Sequence, residues 1–133
     1  MSPQFQATGK IHTIRVDGAR LGGWDDFHSE FARAFGFPDF YGRNMDAWVD
    51  CMTRLDEPFS VFQIDQGDLV MLEVEHSDEF QREHPALSAA LYECAAFVNG
   101  RRVEIGEPPI LLLSSYLSPT LPAAGKGEEA SRA

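Results

Sequence analysis

Two apolar periods alternate along this chain. Lys10 to Asp17 (KIHTIRVD) is rich in β-branched residues and ends at Asp17-Gly18, a turn signal, so it predicts a first strand. From Trp24 the period changes. Trp24, Phe27, His28, Phe31, Ala34 and Phe35 follow the i, i+3, i+4, i+7 spacing of one buried helix face. Asp25 and Asp26 fall in the first turn, where the helix dipole favours anions, and Gly36 supplies a stop. Asn44, a favoured N-cap residue, opens a second helix on which Met45, Trp48, Val49, Met52 and Leu55 share a stripe with Cys51 at its margin. Asp46, Asp50 and Thr53 fall on the opposite flank.

Beyond Glu57, residues 59–66 read as a short extra strand or an ordered loop, with a turn at Gln66-Gly67. Asp68 to Val74 (DLVMLEV) is mostly apolar, as expected of a strand covered on both faces. Ser77 can cap a helical turn, and Pro85 suits the first position of a further helix with Leu87, Leu91, Cys94 and Val98 inward. Asn99-Gly100 is read as its end. Pro109 to Ser115 (PILLLSS) predicts a third strand, apolar enough to be central or well covered. The order implies an α/β fold: a small three-stranded parallel sheet packed with helices. Residues 10–117 are expected to form one domain, residues 1–9 a loose N-terminal segment and 118–133 a flexible tail.

Charge changes the picture. The 133 residues hold 21 Asp and Glu against 11 Lys and Arg, a formal net charge of -10. The excess is concentrated: residues 37–57 and 65–83 between them carry nearly all of it. Such a surface repels phosphate backbones and anionic lipid, which argues against direct nucleic-acid or membrane binding and for a basic protein partner. No apolar run reaches membrane-spanning length, and the N-terminus lacks a charged segment followed by an apolar one. A soluble, cytoplasmic protein is the expectation.

The acidic helix concentrates the chemistry. Asp46 and Asp50 stand one turn apart on one face, where like charges weaken an isolated helix by a few tenths of a kcal/mol, roughly. A cationic partner would relieve that repulsion. The stretch Phe40 to Thr53, FYGRNMDAWVDCMT, closely resembles the signature of the barstar family, the intracellular inhibitors of barnase-type ribonucleases. The shared pattern is an aromatic pair, Gly, any residue, Asn, an apolar residue, Asp-Ala, two apolar residues and Asp-Cys.

The resemblance implies the three-stranded fold, no enzymatic activity and no cofactor. It also implies a basic extracellular or effector ribonuclease as partner, met by a monomer. Asp50 matches the family's central carboxylate, which enters the nuclease's phosphate-binding pocket, and Asp46 the second interface acid. Phe40 and Tyr41 match the aromatic pair, and Gly42 and Asn44 the residues that shape the turn and cap the helix. Arg43, between them, is expected to face solvent or pair with an acid or the partner. Val49 departs from the family's best-known member, which has Trp there, and Trp48 stands one position earlier. A further family acid, on the helix before the last strand, aligns at or near Cys94 with Glu93 adjacent, and is not carried over.

Other readings are weaker. Cys51 and Cys94 sit on apolar stripes, where burial suppresses the thiolate, so a thiol-dependent hydrolase is disfavoured. His12, His28, His76 and His84 show no metal-ligand spacing on one helix face. A binding module with a non-nuclease partner is the remaining alternative.

Overall fold

The computed structural model describes residues 9–57 and 62–115. Strand β1 (Ile11–Asp17) is followed by a 3-10 turn at Gly18–Arg20, helix α1 (Trp24–Phe35) and helix α2 (Met45–Thr53). Strand β2 (Leu69–Glu75), helices α3 (Ser77–Glu83) and α4 (Pro85–Glu104), and strand β3 (Leu111–Ser115) complete the order. The sheet is parallel throughout, in the order β1-β2-β3, with Ile11 opposite Leu69 and Val70 opposite Leu111. This is the α/β fold with a three-stranded parallel sheet that the periodicity predicts.

The register decides which side chains reach the core. Val16, Val70, Leu72 and Val74 are fully buried and Leu111 nearly so, all on one face of the sheet. The other face is partly open: Ile11 and Leu112 are exposed, and Arg15 meets Glu73 at 2.8 Å across the strands. The expectation that β2 is covered on both faces is therefore corrected, because buried and half-buried residues alternate along it. Strand β3 is an edge strand, not the central one.

Helix α1 packs through an aromatic column. Phe27, Phe31 and Phe35 are fully buried, and Phe31 meets Trp48 of α2 edge-on at 5.6 Å between centroids. Such pairs contribute about 0.5–1.5 kcal/mol beyond the area they bury. Trp24, expected on this face, stays half exposed. Gly36 ends the helix in the left-handed conformation, as a C-terminal glycine should. Gly18 is required by close approach: a Cβ there would stand 2.7 Å from the Glu75 carbonyl oxygen.

Three boundaries differ from the sequence reading. Helix α2 stops at Thr53, so Leu55 is buried from the following turn, and Thr53 is itself buried rather than on the polar flank. Its hydroxyl donates to the Val49 carbonyl at 2.6 Å. Helix α3 begins at Ser77, after a left-handed His76, so Ser77 is its first residue and not its cap. Helix α4 runs through Asn99-Gly100 to Glu104. Asn99 is not a terminator here because its amide is engaged elsewhere: Oδ1 accepts from the Ile110 and Leu111 N–H groups, and Nδ2 donates to the Leu111 carbonyl.

Of the suggested strand or loop near 59–66, residues 58–61 lie outside the described residues. Phe62 to Ile64 form no strand, and the Ile64 N–H donates to the Leu55 carbonyl. Residues 1–8 and 116–133 also lie outside the described residues, and with them nearly all of the expected N-terminal segment and the whole of the expected tail.

Candidate functional site

The sequence around α2 determines which way each side chain points. Asn44 adopts an extended backbone and its Oδ1 accepts from the Ala47 N–H at 2.8 Å, the N-cap the sequence predicts. With that start fixed, Trp48, Val49 and Met52 turn inward and are buried, while Asp46 and Asp50 stay exposed one turn apart. The acid pair is held on a helix whose opposite side is anchored by an indole in the core. Neither Trp48 nor Val49 reaches the rim.

Asp50 is not alone. Arg54 lies one turn on, with Nη1 at 3.4 Å from Asp50 Oδ2 and Nε at 3.0 Å from Glu57 Oε1. All three side chains are roughly half exposed, so these pairs contribute about 0–1 kcal/mol and can be rearranged by a competing cation. Arg54 was not singled out by sequence reasoning, although its i+4 spacing from Asp50 is a legible signal.

The connector before α2 separates the aromatic pair. Phe40 is 80% exposed, whereas Tyr41 is 9% exposed and lies within the core. The Tyr41 hydroxyl pairs with His28 Nδ1 of α1, and its ring packs on Phe37 at 4.7 Å between centroids. Tyr41 therefore positions the connector, and burial pushes its hydroxyl far above the usual phenol range. Arg43 reaches back to α1, where Nη2 donates to Asp25 Oδ1 at 2.6 Å and to the Ser29 hydroxyl at 3.0 Å. It takes the left-handed backbone, φ 53°, which a glycine would favour. Gly42 does not need that freedom. A Cβ on it would meet Ala47 Cβ and Asn44 Nδ2 at 3.5 Å, an ordinary contact.

His28 couples this connector to pH. Burial holds its imidazole below the usual range, and the Arg43 guanidinium lowers it further. A histidine that resists protonation in the folded state contributes stability that is fully present above its unfolded pKa. That stability is lost as pH falls through that value toward the depressed folded one. The unfolding midpoint is expected to fall between pH 7.5 and 5.5, and His28→Gln should flatten that slope. Thermal melts at both pH values check this; equal slopes in the two proteins would exclude it. His76 opposes the trend, since its hydrogen bond to Asp17 raises its pKa and its stabilisation is lost as pH rises.

Both thiols are free. Burial raises the Cys51 thiol, with Asp50 adding to the effect. Burial also raises Cys94, with Glu93 and then Asp46 contributing. Both therefore resist forming the thiolate, the reverse of an activated nucleophile. Helices α2 and α4 pack against each other, with Asp46 on the first and Glu93 and Cys94 on the second. No group of three or more His, Cys, Asp or Glu among the described residues could hold a metal ion. None of the described helices is long and apolar enough to cross a membrane.

Two comparisons bear on this surface. The family model described as Barstar (barnase inhibitor) matches residues 11–113, which includes every described strand-core residue and the whole of α2. The chain is also 37% identical over 43 residues to a Bacillus subtilis (strain 168) protein titled "Putative ribonuclease inhibitor YrdF". That match covers 32% of this chain and 47% of the relative, so it spans about half of the relative's length.

Proposed function

The chain belongs to the barstar family, and from that membership we propose that it is a non-enzymatic inhibitor of a barnase-type ribonuclease. Asp50 and Asp46 enter the cationic pocket that grips RNA phosphate, with Phe40 packing beside them. Asn44 and Gly42 form the turn that aims them, and Tyr41 and Arg43 hold that turn to α1. The observation that carries this reading is the exposed acid pair on α2, rigidly backed by Trp48 and Met52.

The physical argument rests on what a ribonuclease site must contain. Cleaving RNA requires cationic donors placed to grip phosphate, and a carboxylate can accept from the same donors, bidentate with Arg. A nuclease cannot shed those donors without losing catalysis. The net charge of -10 would steer a basic nuclease toward the helix, an attraction that salt screens. Free thiols fit residence in a reducing cytoplasm, where an immunity protein would guard its own cell's RNA.

The test is a titration of barnase, taken as a representative nuclease, with the full chain. RNA cleavage should fall to near zero around one inhibitor per enzyme, with association slowing as salt is raised. Unaltered cleavage at a tenfold molar excess would overturn the reading.

A further inference from the structure

The acidic surface of α2 has a cation built into its end. Arg54 directly follows the helix, with Nη1 3.4 Å from Asp50 Oδ2 and Nε donating to Glu57 Oε1 at 3.0 Å. Its backbone is fixed from both sides. The Arg54 N–H donates to the Cys51 carbonyl at 3.2 Å, its carbonyl accepts from the Glu57 N–H at 3.1 Å, and Asp56 within that turn is fastened by Arg102. Arg43, the arginine at the other end of the helix, is turned away to Asp25 and Ser29 of α1. Of the two, Arg54 is the one that reaches the acid pair, and its side chain is 43% exposed.

A helix shaped only to attract cations would carry no arginine beside its central carboxylate. The guanidinium engages one oxygen of Asp50 and repels any cation that approaches that group. Glu57 gives Arg54 a second anchor, so Asp50 can be released, but the positive charge stays at the rim. The i+4 spacing and the position at a helix C-terminus also favour Arg54 within the free protein. That gain concerns folding and leaves the effect on a partner unaccounted for. Specific interfaces use repulsive elements as well as attractive ones, because selectivity is a difference between affinities.

We propose that Arg54 is a specificity-determining residue, which competes with the nuclease's cations for Asp50 and restricts the surface to pockets that displace it. The fitting partner is a ribonuclease that brings a guanidinium able to take both Asp50 oxygens, since a single donor leaves the carboxylate shared with Arg54. This inference rests on the acid pair being the partner contact.

The experiment measures Kd of the full chain with barnase, at low and high salt, for wild type, Arg54→Ala, Asp50→Ala, the two combined, and Arg15→Ala. Arg15→Ala is the matched control, since it removes the same unit of charge from the open face of the sheet, where Arg15 meets Glu73. Arg54→Ala should lower Kd by about threefold or more at low salt, and the gain should shrink as salt screens the charges. In the Asp50→Ala background the same substitution should change Kd by less than about twofold, because the competition runs through that carboxylate. Arg15→Ala should also stay within about twofold of wild type. If wild type inhibits and Arg54→Ala binds no more tightly, or gains equally with and without Asp50, the inference is overturned while the acid-pair reading stands. Inhibition by Arg54→Ala where wild type is weak would support both. If neither protein binds barnase, both fall.

Discussion

Asp50→Ala is expected to weaken inhibition of the ribonuclease by more than about 2 kcal/mol, roughly thirtyfold in Kd. The carboxylate sits in mid-helix with buried residues on both sides, so its position costs little further ordering when a partner binds. Its counter-ion Arg54 is shared with Glu57 at the shorter distance, which leaves Asp50 able to accept from a partner's guanidinium. Truncation would leave the partner's cations facing a methyl group inside a dehydrated contact, and that lost partner is what makes such substitutions expensive. Asp46→Ala should cost less, since Asp46 lies in the first turn, toward the edge of the acidic surface. The folded state should barely change for Asp50→Ala, because an exposed i,i+4 pair is worth about 0.3–0.5 kcal/mol. Inhibition constants and unfolding midpoints for both variants decide the matter. An equal and negligible loss of binding for the two would refute the division of roles.

The direction of this acid pair was legible in the sequence because a 3.6-residue period carries its own geometry. Once Asn44 is taken as the cap, the stripe of Trp48, Val49 and Met52 fixes the inner face and the acids follow. The same logic held for α1, where the three phenylalanines are all buried. What local spacing could not show was contact between distant residues. Phe40 and Tyr41 are adjacent aromatics with no period to separate them, and their opposite fates depend on His28, thirteen positions before Tyr41. Arg43 likewise finds Asp25 across a loop.

Helix α4 shows the same limit from another direction. Apolar residues occur around much of its circumference, with Tyr92, Phe97 and Val103 exposed opposite a buried row. Periodicity there gives an inner face but not the reason for an apolar outer one. Asn99-Gly100 carries a strong local stop signal that the fold overrides, because Asn99 caps the start of β3 and the next turn delivers Arg102. Gly in a helix interior costs about 1 kcal/mol relative to Ala, a smaller quantity than the contacts secured beyond it.

Those contacts lead to the largest stability effect expected in the molecule. Arg102 is buried, 4% exposed in its side chain, and pairs with the Asp56 carboxylate through both ends of its guanidinium, at 2.9 and 3.3 Å. The same group donates to the Thr53 carbonyl and, through Nε at 2.8 Å, to the Pro108 carbonyl. One side chain thus fastens the end of α2, the turn after it and the approach to β3. Arg102→Ala would strand a buried carboxylate and two carbonyls, so a loss of about 3–5 kcal/mol is expected. For a domain of this size that corresponds to a fall in melting temperature on the order of 10–20 °C. Arg102→Lys cannot reproduce the planar fork and should recover only part. Replacing both partners, Arg102→Met with Asp56→Leu, should be less damaging than Arg102→Ala, because no charge is then left unpaired. Melting curves for the four proteins test this, and an Arg102→Ala midpoint within a few degrees of wild type would exclude it. The contrast with Asp50 is informative. At a temperature where both variants remain folded, Arg102→Ala should still bind the nuclease far better than Asp50→Ala, since its side chain anchors the helix without touching the partner.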